Sequence, residues 1–217
     1  MHLSRLLVLL ASGCILDDQA PSVEAHLVVT WAVRDVSGAE QPCPDATATV
    51  IAQPIDDGGA PAGNAFLSTF LCSDGRDTVE LPAGLYSVKL DIDGFSPSLP
   101  SGLVDLTTDD GTADFDVYAD GGFLTLAWTL VGAKSKQPLT CAAANVTDID
   151  VGLGVATLPC APGSGTTAAI AAGAEVVTVT ARSPLGTEGT STPIATAVQA
   201  ANGVTDLGTV TISITGK

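Results

Sequence analysis

The sequence predicts an all-β protein made of two tandem β-sandwich domains. Val, Thr, Ile, Ala and Gly dominate, in short runs split by Gly, Pro and Asp, which is strand-and-turn composition. No stretch carries apolar residues convincingly at helical period. The order of landmarks in residues 25–118 recurs in residues 121–215, so the chain reads as one unit used twice.

The chain opens with one base, Arg5, ahead of a short apolar run from Leu6 to Ala11. That is the layout of a secretory signal peptide. The run is far shorter than the roughly 20 residues a helix needs to cross a bilayer. It ends on Ala11-Ser12-Gly13-Cys14. These residues resemble the lipobox of bacterial lipoproteins, with Ala11 where that pattern usually has Leu. The resemblance implies diacylation of the Cys14 thiol, cleavage after Gly13 and acylation of the new amino group. Each buried CH₂ contributes about 0.8 kcal/mol, so two or more acyl chains anchor a protein stably. Ile15 follows the cysteine, where an Asp would signal retention at the inner membrane, so the resemblance implies the outer membrane. Residues 1–13 thus read as signal peptide and residues 14–24, with Asp17, Asp18 and Pro21, as a polar tether.

In the first domain, Leu27–Val33 forms a strand around Trp31, followed by Cys43, Cys72, the alternating segment Val79–Leu90 and a closing strand Ala113–Tyr118. In the second, Trp128 answers Trp31 and Gln137-Pro138 answers Gln41-Pro42. Cys141 and Cys160 answer Cys43 and Cys72, Ala168–Val179 answers Val79–Leu90, and Thr209–Ile214 closes. Ala119-Asp120-Gly121 joins the two. Trp31 precedes its cysteine by 12 residues and Trp128 by 13, so each indole is expected in its own core near the cysteines. Glu80–Phe95 resembles the carboxypeptidase-regulatory-like, transthyretin-like sandwiches of bacterial surface proteins, whose hairpin reads Leu-Pro-x-Gly-x-Tyr-x-Val. The resemblance implies an Ig-like or transthyretin-like sandwich, with Pro82 and Gly84 in a tight turn and Tyr86 and Val88 in the core. The second domain departs from it, with Ala171 for the proline and Glu175 for the tyrosine.

Loss of residues 1–13 removes Arg5 and leaves 7 bases against 24 acids, a net charge of −17. Binding to nucleic acid or to anionic lipid needs Lys and Arg, so both are argued against. The charge is lopsided: residues 14–120 carry 19 acids and 3 bases, residues 121–217 only 5 and 4. With Cys14 given to lipid, Cys43, Cys72, Cys141 and Cys160 remain, an even number with three possible pairings. The repeat favours Cys43–Cys72 and Cys141–Cys160, and the close spacing of a zinc site is missing.

His26 is the one histidine beyond the signal peptide, and no Gly-x-Ser-x-Gly elbow accompanies it. The chain therefore reads as non-catalytic, a lipid-anchored envelope binding or scaffold module whose partner is another envelope protein or surface component. A calcium-supported adhesin is the alternative, and a hydrolase a remote one. The calcium reading rests on acidic turns at Asp56-Asp57, Asp91-Ile92-Asp93 and Asp109-Asp110, since Ca²⁺ takes 6–8 oxygens from such clusters. The competing reading is that Asp-Gly pairs are simply good turns. No cofactor is expected.

Overall fold

A computed structural model describes residues 24–155 and 157–217. Cys14, the expected signal peptide and the expected tether up to residue 23 lie outside them. Among the described residues no helix is long and apolar enough to cross a membrane.

The first half holds eight strands: β1 (Glu24–Arg34), β2 (Glu40–Gln41), β3 (Thr47–Ile55), β4 (Phe66–Leu71), β5 (Arg76–Pro82), β6 (Leu85–Ile92), β7 (Leu103–Asp105) and β8 (Gly111–Tyr118). In one sheet β1 is central, flanked by β2 and β5 on one side and by β8 on the other. The other sheet runs β4-β3-β6-β7. Each strand alternates, as period-2 patterning requires. Leu27, Val29, Trp31 and Val33 of β1 face Val50, Val88, Leu90 and Ile92 of the opposing sheet, and the two inner faces form one buried cluster. The all-β expectation is therefore met.

The second half holds eleven strands: β9 (Gly121–Gly132), β10 (Pro138–Leu139), β11 (Asp148–Asp150), β12 (Leu158–Pro159), β13 (Ser164–Thr166), β14 (Ile170–Ala171), β15 (Gly173–Val177), β16 (Thr180–Ser183), β17 (Gly186–Thr190), β18 (Ile194–Val198) and β19 (Gly203–Ile214). A nine-stranded sheet centres on β9 and β19, and β15 pairs with β18 separately. A second buried cluster fills this half, including Leu126, Trp128, Ile149, Val179 and Ile212.

The halves share an unusual ladder: the first strand pairs in parallel with the last, β1 with β8 and β9 with β19. Both indoles are buried, and each donates to the carbonyl of its half's second cysteine, Trp31 to Cys72 at 2.8 Å and Trp128 to Cys160 at 3.2 Å. Cys43–Cys72 and Cys141–Cys160 are disulfide-bonded, as the repeat predicted. A buried serine recurs as well. Ser98 Oγ accepts the Leu90 N–H and Ser191 Oγ the Val179 N–H, at 2.9 and 3.0 Å.

Several expectations are corrected. β5 and β6 form no hairpin, because β5 pairs with β1 in one sheet while β6 pairs with β3 and β7 in the other. The tight turn at Ala83-Gly84 carries the chain between sheets, and the Tyr86 hydroxyl braces it by donating to the Pro82 carbonyl at 2.7 Å, in the manner of a tyrosine corner. Tyr86 and Val88 are buried as expected. The repeat register also shifts. The ladder counterpart of Gln41 is Leu139, not Gln137, since they pair with Val33 and Leu130. Phe115 beside Trp31 corresponds to Val210 beside Trp128, one residue from the sequence alignment. Glu24, assigned to the tether, begins β1, and Gly121, assigned to the linker, begins β9.

Candidate functional site

The acidic turns do not assemble a cation site. Asp56 Oδ1 accepts the N–H groups of Gly58 and Ala60, at 2.9 and 2.8 Å, closing its own turn. Asp109 accepts from the Thr108 hydroxyl at 3.1 Å, and Asp110 from the His26 main-chain N–H at 2.8 Å. Asp57 shares the turn of Asp56, Asp91 lies on β6, and Asp93 lies in the turn after it. The six carboxylates thus lie in three separate stretches of the chain. Among the described residues no group of three His, Cys, Asp or Glu side chains is placed to hold a metal ion. His26 sits on β1 opposite Glu80 of β5, and no nucleophile–base pair forms around it among the described residues.

What the fold does build is a cleft of about 690 Å³ where the first half meets Ala119 and Asp120. Val33, Pro42, Pro44 and Phe95 give it apolar walls, and Asp35, Asp93 and Asp120 add three carboxylates. β1 and β2 position Val33 and Asp35, the segment around Cys43 brings Pro42 and Pro44, and the turn after β6 supplies Asp93 and Phe95. Asp35 is fixed by four donors: the Ser37 hydroxyl at 2.6 Å, the N–H groups of Ser37 and Ala39, and the Gln41 amide. The Ser37 hydroxyl, ahead of the main-chain bonds, holds this carboxyl below the usual carboxylate range despite the opposing effect of desolvation. Asp120 Oδ1 accepts the Val36 N–H at 2.9 Å. The cleft therefore presents negative charge beside apolar surface.

Asn202 supports this region from the second half. It is 1% exposed and holds a left-handed backbone with φ of 61°. Its N–H donates to the Tyr118 carbonyl at 2.7 Å, its Oδ1 accepts the Tyr118 N–H at 3.2 Å, and its Nδ2 donates to the Ser96 carbonyl at 3.3 Å. The Ser96 N–H in turn donates to the Ala201 carbonyl at 2.8 Å. The turn that carries Asp93 and Phe95 is thereby tied to the linker and to the turn before β19. Sequence reasoning missed both cleft and clamp. The one signal was Asn202-Gly203, a turn dipeptide, and its partners lie about 84 and 106 residues away in sequence.

No family model matches the chain, and no curated sequence matches it. Among solved structures, the chain is similar to the minor pilin GBS52 of Streptococcus agalactiae at 14% identity and a TM-score of 0.34, over 89% of this chain and 98% of that one. It is similar to a streptococcal ancillary pilin at 11% identity and a TM-score of 0.32, over 91% of this chain and 64% of that one. A putative adhesin from Bacteroides ovatus gives 12% identity and a TM-score of 0.32, over 77% of each chain.

Proposed function

We propose that this chain is a non-catalytic envelope binding or scaffold module, held on a membrane by lipid at Cys14, that takes its partner in the cleft beside the linker. The carrying observation is the cleft itself: apolar walls at Pro42, Pro44 and Phe95, three carboxylates, and a supporting turn clamped by Asn202. A site formed before binding loses less entropy when occupied than one that must be ordered. Two disulfides fit a chain that folds outside the cytosol. The carboxylates suit a partner segment that carries Lys or Arg next to apolar side chains. The lipobox-like Ala11-Ser12-Gly13-Cys14 supports the anchor, and Ile15 supports the outer membrane.

Photo-crosslinking in cells from a probe amino acid at Phe95, followed by mass spectrometry, tests the cleft. One abundant envelope partner is expected, and Asp93→Lys is expected to abolish its capture. Partners captured equally well from an exposed site such as Thr112, and unaffected by Asp93→Lys, would refute the reading. The anchor is tested separately: Cys14→Ala is expected to release the protein from membranes and to block lipid-dependent processing.

A further inference from the structure

We propose that the free edge of β4 pairs antiparallel with the same edge of a second copy of this chain. The edge strands of the first half differ sharply, and β2 is only two residues long and carries Glu40. β5 carries Arg76, Asp77 and Glu80, β8 carries Asp114 and Asp116, and β7 is only three residues long and ends on Asp105. Charge and shortness are how sheets block pairing with other chains. β4, Phe66-Leu67-Ser68-Thr69-Phe70-Leu71, has neither charge nor proline, and no charge occurs anywhere in residues 58–73. Within the first half, which holds most of the chain's negative charge, this rim offers a like-charged copy the approach of least repulsion.

The ladder sets the partner's register. The Cys72 N–H donates to the Ala46 carbonyl at 2.9 Å. By antiparallel alternation, residues 66, 68 and 70 then turn their main-chain groups toward β3, and Leu67, Thr69 and Leu71 turn theirs outward. The side chains of those same three residues share the outer face, where Leu67 is 67% and Leu71 60% exposed. The two leucines are symmetric about Thr69. Setting Thr69 against Thr69 of the copy places Leu67 against the copy's Leu71 twice, with outward-facing groups meeting each other and both inner faces kept on one side. Ile51, cross-strand from Leu67, extends the apolar contact. The Asp74 carboxylate accepts the Leu71 N–H at 3.2 Å, so it must let go before the outermost bonds form. The β4 edge shares no residue with the cleft, and the pairing does not depend on it.

Facing Thr69 residues in a hydrogen-bonded pair bring Cα atoms to about 5.5 Å, within disulfide range. The test uses the full chain in detergent with Thr69→Cys, oxidised and run on a non-reducing gel, with circular dichroism to confirm the fold. The dimer is expected to form roughly tenfold faster than for Thr112→Cys, an exposed site on the other sheet, because pairing raises the local concentration of the thiol. Adding Leu67→Lys is expected to return the rate to the control, and adding Asp74→Ala to raise it. Equal rates at positions 69 and 112 overturn the proposal. So do a dimer indifferent to Leu67→Lys and a crosslink from position 69 only to some other protein.

Discussion

At the residue scale, the features readable in the sequence were those whose chemistry is local or repeated. The cysteine pairing followed from the repeat, and the two tryptophans are buried beside the cysteines they were expected to join. Asn202 was illegible because its importance lies in partners far along the chain. Replacing it with Ala orphans the Ser96 carbonyl and the Tyr118 N–H in a partly buried site and removes a residue that tolerates positive φ. A loss of about 1–3 kcal/mol is expected, read as a shift in denaturant midpoint at constant slope. Trp31→Phe deletes the 2.8 Å bond to Cys72 and leaves a void, and is expected to cost about 2–4 kcal/mol. Gly122→Ala is expected to be severe, since its Cβ would meet the main-chain carbonyls of Gly203 and Gln199, which cannot move independently of the ladder. A Gly122→Ala chain that melts like the parent would contradict that packing.

At the scale of elements, strand identity was legible and strand pairing was not. The turn after Pro82 has the same residues whether it closes a hairpin or crosses between sheets, because the choice depends on which distant strand each arm meets. Likewise a register one residue out is invisible in Val- and Thr-rich strands until burial fixes the face. The disulfides brace unequal loops, with sequence separations of 29 and 19. Chain entropy predicts about 2–4 kcal/mol from each, the longer loop gaining about 0.4 kcal/mol more. Double Cys→Ala variants, one pair at a time, check this by chemical denaturation. The ladder between β11 and β16 also carries an ion pair, Arg182 with Asp150 at 2.5 Å. Burial acts to raise the Asp150 carboxyl, but the Gly152 N–H and Arg182 outweigh it and hold it below the usual range. A depressed folded value means that the stabilisation is whole above the unfolded value of about 3.9 and fades as pH falls through the lower, folded one. The difference in melting temperature between the parent chain and Asp150→Asn is therefore expected to be constant near neutrality and to shrink below about pH 4. A difference unchanged down to pH 2 would show that Asp150 contributes nothing by ionisation.

At the scale of the whole molecule, composition gave the fold class and the argument against nucleic acid. The cleft, assembled from four separate segments, gave no sequence signal at all. Among the described residues the acidic turns bring together no group placed to hold a metal ion, and Asp56 caps N–H groups of its own turn. Millimolar calcium is accordingly expected to leave the melting temperature unchanged, and a rise of several degrees would reveal a site. Finally, the parallel ladders have a mechanical consequence. β1 starts and β8 finishes each other's pairing side by side in the same direction, so the first half is held at opposite ends of one ladder, and β9 with β19 repeats this. A pull along the chain therefore shears all the bonds of a ladder together rather than peeling them one by one. Tension applied at both ends of either half is resisted at its first and last strands, by pairings of eight residues in β1–β8 and ten in β9–β19.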